Sequence, residues 1–363
     1  KYNIEDGHFI LKEKADKDLI KTLQDDEHVK LYSQPYIEEK ATDDNTYRIY
    51  ANRSKVNKIS VLSGRMAKAD DEITIDRLFA ENNDIKVGDS IQLNGTSWKV
   101  CGLVAFSDYS CLFENNSDMM FDAVKFGVGL MTKEGFDAFG TAHLKYRYSF
   151  TYDEKPADEQ AEKEQSDDFV DVLAKRMGMT LTDYIPRYGN QAINFTGDDM
   201  GGDRSMMLVL LYILIAIMAF VFAVTTNNTI QKEAAVIGTL RASGYTRREL
   251  LLHYISLPIL VTILAAVIGN ILGYTVFKGI VADMYYGSYS LPTYETRWNA
   301  EAFCLTTLVP FVIMAVINVV LIRGKLKISP LRFLRKDLGS TRRSKAVRLP
   351  NFKFFNRFRI RIL

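Results

Sequence analysis

The chain has 363 residues and a formal net charge of +2, and its average composition is that of an ordinary soluble protein. This average is misleading, because residues 1–205 contain 26 Lys and Arg against 38 Asp and Glu, whereas residues 206–363 contain 20 against 6. This difference in charge excludes a single domain of even charge distribution. It predicts an acidic first part joined to a basic second part. Because the opening residues KYNIEDGHF contain no apolar run, we expect no signal peptide there.

Residues 1–205 are predicted to form an α+β domain, because helical and strand patterns are mixed along them. Asn94-Gly95 between two alternating runs is a strong signal for a type I′ hairpin. The predicted strands are Glu72–Ile75, Ser90–Leu93, Ser97–Val104 and Tyr146–Tyr152, and the predicted helices are Lys12–Asp25, Met131–Phe139 and Pro156–Met177.

Three apolar stretches follow, at 206–226, 257–277 and 302–322, and none contains an ionisable Asp, Glu, Lys or Arg. A helix of about 20 such residues matches the ~30 Å hydrocarbon core of a bilayer and is too long for an ordinary buried core helix. The sequence therefore predicts an all-α transmembrane domain over 206–323. Its first two spans are separated by a loop over 227–256.

The basic tail over 324–363 orients these spans, because Lys and Arg collect on cytoplasmic segments. Counting back places the 227–256 loop inside and both 278–301 and 1–205 outside. The aromatic residues of the outer loop are expected at the membrane interface. They are Tyr285, Tyr286, Tyr289, Tyr294 and Trp298.

The inner loop is predicted to hold a short amphipathic helix that starts at Glu233 and ends before Gly244 as its C′ residue. Thr246 and Glu249 have the spacing of a capping box that starts a second helix, and Pro258 is expected in the first turn of the re-entering span. The predicted apolar face consists of Val236, Ile237, Leu240 and Gly244.

Such a short helix needs a partner surface, and two remain open. Its apolar stripe either lies on lipid headgroups, with Arg241, Arg247 and Arg248 on phosphates, or docks in a groove of a cytoplasmic protein. A DNA-binding helix-turn-helix would have similar local geometry, but tethering between two spans argues against it, so we expect no nucleic-acid partner.

The run KEAAVIGTLRASGYTRRELLLHYISLP resembles the cytoplasmic loop of FtsX-like ABC transporter permeases, and KLKISPLRFLRKDLG (Lys325–Gly339) resembles the family's segment after the last span. In that family the loop is the coupling helix that contacts the ATP-binding subunit. The resemblance implies a multi-pass protein of the bacterial cytoplasmic membrane. The coupling residues that we infer are Glu233, Val236, Ile237, Gly238, Leu240, Arg241, Gly244 and Tyr245.

The segment Leu62–Val104 is similar to the MacB-type periplasmic core domain, which implies that 1–205 is extracellular. Family members have a span ahead of this domain, so we expect the chain to be the first module of a larger permease. The end NFKFFNRFRIRIL (Asn351–Leu363) resembles the interfacial elbow before a further span. The alternative is a basic tail on anionic lipid.

The chain shows no pattern for its own catalysis. The four histidines, His8, His28, His143 and His253, lack metal-ligand spacing, and no phosphate-binding Gly-Lys-Ser/Thr loop occurs. We therefore expect a non-enzymatic subunit without a cofactor, whose ATP and Mg²⁺ are bound by a separate ATPase. Cys101 and Cys111 either pair outside the cell or are two buried thiols, and Cys304 in a span is expected to be inert.

Small residues suggest where helices approach closely. Gly269 and Gly273 form a small-xxx-small pattern, and Asn270 can hydrogen-bond across that contact, either within the permease or at a dimer seam. Pro310 is expected to bend the last span. Gly201-Gly202 would loosen the junction before the first span, although transmission of motion favours a stiff helix there.

These observations predict a permease subunit in which a docked cytoplasmic ATPase drives shape changes of the extracellular domain. The substrate or partner could be a peptide, lipid, lipoprotein or cell-wall enzyme, and the acidity of 1–205 fits a cationic peptide. Membrane lipid and a second permease module or homodimer are further expected partners. The alternative is a membrane-anchored extracellular binding protein or sensor without an ATPase.

Overall fold

The computed structural model describes residues 2–41, 44–335 and 337–338. The chain divides into two compact units. The first unit consists of Lys1–Val209 with Leu272–Trp298, and the second consists of Leu210–Ile271 with the described residues from Asn299 onward. The predicted elbow at Asn351–Leu363 and the rest of the basic tail beyond 338 lie outside the described residues.

The strands all lie in the first unit and are numbered in chain order. They are β1 (Gly7–Leu11), β2 (Val29–Ser33), β3 (Tyr36–Lys40), β4 (Thr46–Ala51), β5 (Ile59–Gly64), β6 (Glu72–Asp76), β7 (Ser90–Leu93), β8 (Thr96–Phe106), β9 (Phe126–Met131), β10 (Tyr146–Tyr152) and β11 (Leu181–Pro186). Its shorter helices are α1 (Lys17–Glu27), α2 (Arg77–Asn82), α3 (Lys133–Asp137) and α4 (Glu159–Met177).

The longer helices begin with α5 (Gln191–Lys232), and α6 (Ala234–Ala242) follows it in the inner loop. Next come α7 (Arg247–Leu272), a π-helical turn at Gly273–Phe277 and α8 (Lys278–Ser288), then α9 (Ala300–Phe303), a π-helical turn at Cys304–Leu308, α10 (Val309–Leu326) and α11 (Pro330–Leu334).

The strands of the first unit form two sheets, each with its own core. The four-stranded sheet has the order β11-β1-β10-β2 and is antiparallel, and its core includes Phe9, Phe150 and Phe169. The larger sheet has the order β3-β4-β9-β6-β8-β5, with β7 paired to β8. It is mixed, because β4–β9 and β6–β8 are parallel pairs. The prediction of an α+β domain is confirmed.

Several local predictions also agree with the structure. Asn94 and Gly95 connect β7 to β8 with φ of 47° and 72°, as a type I′ turn requires. The predicted strand Tyr146–Tyr152 matches β10 in both bounds, whereas the predicted helix Lys12–Asp25 begins only at Lys17, because Asp16 accepts a hydrogen bond from the Asp18 amide as its N-cap.

Three helices are long and apolar enough to cross a membrane, over Gln191–Lys232, Arg247–Ser288 and Ala300–Leu326. They contain the three predicted spans, and the prediction of three spans is confirmed. The first is unbroken through Gly201-Gly202, so of the two alternatives for this junction the structure shows the continuous helix.

Both prolines of the spans lie inside long helices. Pro258 is not in a first turn, because the helix already begins at Arg247 after its capping box, so that prediction is wrong. Pro310 follows the π-helical turn at Cys304–Leu308, where the extra residue in the turn gives room for a ring that cannot donate a backbone hydrogen bond.

Candidate functional site

The inner-loop helix α6 begins at a bend at Glu233, whose φ of −92° and ψ of 13° interrupt the helix that precedes it. Its carboxylate accepts a hydrogen bond from the Tyr254 hydroxyl at 2.5 Å. Tyr254 lies on α7, so this contact joins both ends of the loop. Glu233 therefore has a structural role in the chain itself.

The C-terminus of α6 is capped at Gly244, as the sequence predicts. Gly244 has a φ of 101°, its amide donates to the Arg241 carbonyl at 3.4 Å, and the Tyr245 amide donates to the Leu240 carbonyl at 3.1 Å. These two bonds are a Schellman motif, in which the left-handed C′ residue favours glycine. The bend at Gly244 is thus held by the backbone.

The helix α7 starts two residues later with the predicted capping box. The Thr246 amide donates to the Glu249 carboxylate at 2.7 Å, and the Glu249 amide donates to the Thr246 hydroxyl at 3.2 Å. Each side chain therefore satisfies a free amide of the first turn. The loop is a helix, a tight turn and a second helix.

One face of α6 packs inside the second unit. Ala234 and Ile237 are fully buried among residues from the ends of α5, α7, α10 and α11. At Gly238 an added Cβ would lie 2.9 Å from Leu334 Cγ and 3.0 Å from the Leu334 amide nitrogen, so only glycine permits this approach. The short helix α11, which begins at Pro330 after the N-cap Ser329, is therefore a partner surface of α6.

Arg241 fastens α6 to the end of α10. Its guanidinium donates to the carbonyl of Leu326 at 3.0 Å and to the carbonyl of Ile328. The Leu326 carbonyl is one of the acceptors that α10 leaves free at its C-terminus, where a cation is also favoured. Of the two alternatives, a lipid phosphate or a protein surface, Nη1 of Arg241 contacts a protein surface, which belongs to this chain itself.

The structure divides the eight predicted coupling residues into two sets. Glu233, Ile237, Gly238, Leu240 and Arg241 contact the chain itself, whereas Val236, Gly244 and Tyr245 are exposed. Val236 is 55% exposed and Tyr245 is 52% exposed. The prediction that Val236 shares the face of Ile237 is wrong, because successive helical residues are about 100° apart and the buried face is centred on Ile237.

The exposed side of the loop is mainly apolar with a basic edge, and we name it the inner face. It consists of Ala235, Val236, Thr239, Ala242, Tyr245, Arg247 and Arg248. Nothing among the described residues covers these side chains. The inner face is the surface of the loop that a partner can reach.

Polar side chains also connect the spans within the second unit. The Thr226 hydroxyl donates to the Asn318 side chain at 2.8 Å, and Asn270 donates to the Thr307 hydroxyl at 2.9 Å. Asn270 thus makes a hydrogen bond between spans, as predicted. An added Cβ at Gly269 or Gly273 would meet no atom within 4 Å, so these glycines do not mediate the predicted packing among the described residues.

In the first unit, the end of α8 and the residues after it are bound to the start of α2, and we name this the outer contact. The Arg77 guanidinium donates to the carbonyls of Tyr286 at 2.8 Å and Tyr289 at 2.9 Å. The Ser290 hydroxyl donates to the Asp76 carboxylate, and its amide donates to the Ser110 carbonyl at 2.9 Å. The segment that leaves the second span is therefore part of the α+β domain.

The start of α5 joins the same contact through two tyrosines. The hydroxyl of Tyr285 donates to Asp203 at 2.6 Å, and that of Tyr289 donates to Asp199 at 2.7 Å. The prediction that all five aromatics lie at a membrane interface is thus wrong for Tyr289, which is buried in the domain core. Tyr294 and Trp298 are exposed.

The two sheets of the first unit are joined by a buried charge network. The Arg147 guanidinium of β10 donates to Glu5 at 2.7 Å, to the Tyr50 hydroxyl of β4 at 2.7 Å and to Asp108 at 3.5 Å. Although burial alone would raise the pKa of Glu5, Arg147 and His8 hold that pKa below its usual range. This network was not predicted from the sequence, because its members are separated by up to 142 residues.

The described residues contain no group of His, Cys, Asp and Glu arranged to hold a metal ion. Cys101 and Cys111 are both free and buried. The Cys111 thiol lies 3.1 Å from the Thr196 hydroxyl, and the Cys101 thiol lies 3.4 Å from Thr74, so neither contacts the other. Cys304 is exposed on its span.

A comparison with protein families finds a match along the part of the chain that contains the three membrane helices. Residues 208–330 match the family model described as FtsX-like permease C-terminal. This part of the chain is therefore similar to the FtsX-like permease family. The match contains the loop motif and confirms the FtsX-like resemblance that this motif predicted, and it ends at residue 330 within the tail motif.

The chain was also compared with curated proteins and solved structures. No curated protein matches it in sequence. It is similar to the extracellular domain of the ABC-type transporter YknZ from Gram-positive bacteria, with 13% sequence identity and a TM-score of 0.29. The similarity covers 49% of this chain and 98% of that chain. It is also similar to the periplasmic region of MacB from Actinobacillus actinomycetemcomitans, with 8% sequence identity and a TM-score of 0.28. This similarity covers 50% of this chain and 88% of that chain.

We expect the outer contact to make the stability of the protein depend on pH. Burial raises the pKa of Asp76 to about 6, so the folded state favours the protonated carboxyl. A raised carboxyl pKa means that stability is lost as pH rises through 6 and is regained as pH falls toward the unfolded value near 3.9. Relative to Asp76→Asn, the wild type is expected to gain about 1 kcal/mol between pH 7 and pH 5.

Urea unfolding of the full chain in micelles measures this difference, with the fluorescence of buried Trp98 as the signal in a Trp298→Phe background. Burial lowers the pKa of His8, which acts in the opposite direction by removing stability as pH falls below about 6.5. Both proteins share that effect, so it cancels in the comparison. Parallel pH profiles would show that Asp76 does not titrate in this range.

Proposed function

We propose that the chain is the permease subunit of an ABC transporter and that a separate cytoplasmic ATP-binding subunit docks on the inner face. The observation that carries this proposal is the division of α6 into a buried side and an exposed apolar side. Ile237 and Gly238 pack in the chain, while Val236 and Tyr245 remain available to a partner. A short helix held in this way presents a defined surface for a groove on another protein.

Force applied to the inner face has a physical route to the spans. Glu233 binds Tyr254 on α7, Arg241 binds the end of α10, and α6 follows α5 directly. All three membrane helices are thus bonded or covalently linked to α6. Because packed interfaces are not continuously deformable, a displacement of α6 shifts these helices together.

The outer contact gives the same motion a route into the α+β domain. Both α5 and the helix over Arg247–Ser288 extend past their apolar segments, and their outer ends bind each other and α2 through Tyr285, Tyr289 and Arg77. No Asp, Glu, Lys or Arg lies in 206–226, 257–277 or 302–322. This composition favours transmission of shape change over conduction of a hydrophilic solute through these spans.

We infer that the acidic α+β domain lies outside the cytoplasm and carries the site for a substrate or partner, such as a cationic peptide, a lipoprotein or a cell-wall enzyme. The tail and the loop are basic whereas 1–205 is acidic, and Lys and Arg collect on cytoplasmic segments. A second permease module or a second copy would complete the transporter.

Labelling with a membrane-impermeant thiol reagent tests the orientation on which the proposal depends. In a background with Cys304→Ala, Ser243→Cys is expected to react only after intact cells are opened. Lys133→Cys in the α+β domain is the matched exposed control and is expected to react in intact cells. Reaction of Ser243→Cys in intact cells would place the inner face outside and would overturn the docking of an ATPase.

A further inference from the structure

The second unit has a cleft of about 350 Å³ between α5 and α7, next to the inner loop. This volume lies within the range of small-molecule sites. The wall from α5 contains residues spaced by three and four, so that they share one face. They are Phe222, Thr225, Thr226, Thr229 and Ile230, and Glu233 follows at the bend after α5. The opposite wall is His253, Tyr254, Ser256, Leu257, Pro258 and Val261.

The lining changes from apolar to polar along the cleft. Phe222, Leu257 and Val261 lie in the predicted spans, whereas Glu233, His253 and Tyr254 lie in the inner loop. One end is therefore at the depth of lipid chains, and the other is at the depth of headgroups or the cytoplasm. This gradient matches an amphiphile whose chain points into the bilayer.

The charge of the cleft selects the headgroup. Glu233 is the one Asp, Glu, Lys or Arg side chain among the lining residues. Its Oε2 accepts from the Tyr254 hydroxyl at 2.5 Å, and within the described residues no cation pairs with this carboxylate and no donor reaches its Oε1. A carboxylate at the edge of an apolar cleft favours a protonated amine, since burying a charge without a partner is costly. An anionic headgroup would meet no Lys or Arg there.

We propose that this cleft binds an amphiphile from the inner leaflet that has a protonated amine head and one apolar chain. The amine donates to Glu233, and the chain lies along Phe222, Leu257 and Val261. Ligand in this cleft contacts both α5 and α7 at their inner ends. The site is independent of ATPase docking, since Val236 and Tyr245 do not line it.

Photo-crosslinking to the full chain in phosphatidylcholine nanodiscs tests the proposal. Three probes carry the same diazirine dodecyl chain and differ only in an amine, a hydroxyl or a sulfate head. The amine is expected to label peptides covering 222–233 and 253–261 at least about tenfold more than the other two, as a charge-assisted hydrogen bond provides. Mass spectrometry locates the labelled residues.

Variants separate this site from general partition into lipid. Glu233→Gln is expected to reduce amine labelling to the level of the alcohol, whereas the distant Glu301→Gln is expected to retain it. Thr225→Trp, which fills the cleft but keeps the carboxylate, is expected to abolish labelling by all three probes there. Equal labelling by the three heads, labelling that Glu233→Gln does not change, or crosslinks from the cleft to a second copy of the chain would overturn the proposal.

Discussion

Glutamate at both Val236 and Tyr245 is expected to remove the ATP hydrolysis that co-purifies with the chain from its native membrane. These two side chains are about half exposed at the centre of the inner face. Burial of a large apolar side chain contributes about 1.5–3 kcal/mol, and a charge in the core of an interface opposes binding further. We therefore expect at least about a hundredfold loss of affinity. The measurement is ATPase activity retained per mole of purified chain.

The chain offers a matched control for this double variant. Val61 and Tyr188 are an exposed valine and an exposed tyrosine of the first unit, and glutamate at both is expected to leave the co-purified ATPase unchanged. If the inner-face variant retains a bound ATPase, the docking surface is assigned wrongly. If neither wild type nor variant brings an ATPase, the alternative of an anchored binding protein or sensor is favoured.

Substitution of Leu240 and Arg241 would test the folding of the loop and not the docking surface alone. Leu240 packs against the buried cluster, and Arg241 caps α10, so charge changes at these positions would disrupt the loop itself. Loss of a partner would then follow from unfolding of the loop as readily as from loss of contact. The exposed pair avoids this ambiguity.

Replacement of Arg147 by methionine is expected to destabilise the first unit by about 3–5 kcal/mol, because it leaves Glu5 buried without its cation. The guanidinium is 3% exposed and the Glu5 carboxylate is fully buried. Urea unfolding followed by Trp98 fluorescence, again in the Trp298→Phe background, measures the loss in the full chain.

Lys30→Met is the matched control for Arg147→Met. Lys30 lies on β2, next to β10, and pairs with Asp153 at 2.9 Å in a largely exposed setting. Exposed pairs contribute at most about 1 kcal/mol, so the control is expected to unfold near the wild-type midpoint. Equal losses in the two variants would show that the buried network does not hold the sheets together.

The sequence predicted those features that short-range chemistry determines. The three spans follow from their length and apolar composition, and the turn at Gly244 follows from the need for a left-handed residue after α6. The capping box at Thr246 and the hairpin at Asn94-Gly95 have the same character, since each depends on a few neighbouring residues.

Features that depend on distant pairing could not be predicted. The strand β1 is a short segment whose partners are β10 and β11, far along the chain. Asp76 is an ordinary N-cap in the sequence, and only the approach of Ser290 makes it part of the outer contact. Tyr289 similarly has the pattern of an interfacial aromatic until Phe121 and Phe195 surround its ring.

The candidate site was predicted in its position but not in its orientation. A helix of nine residues has too few turns for its apolar stripe to define one face, and Val236 and Ile237 are equally apolar. The choice between them is made by α11, because the approach of Leu334 to Gly238 turns Ile237 inward. The family motif includes residues from both sides and therefore does not distinguish them.

The hydrogen bonds from Arg241 to the end of α10 have a consequence for how a displacement of α6 reaches the third membrane helix. The carbonyls that Arg241 holds lie more than eighty residues away in the chain, so the third membrane helix is tethered to the loop without any help from the intervening backbone. A displacement of α6 would therefore move all three membrane helices together.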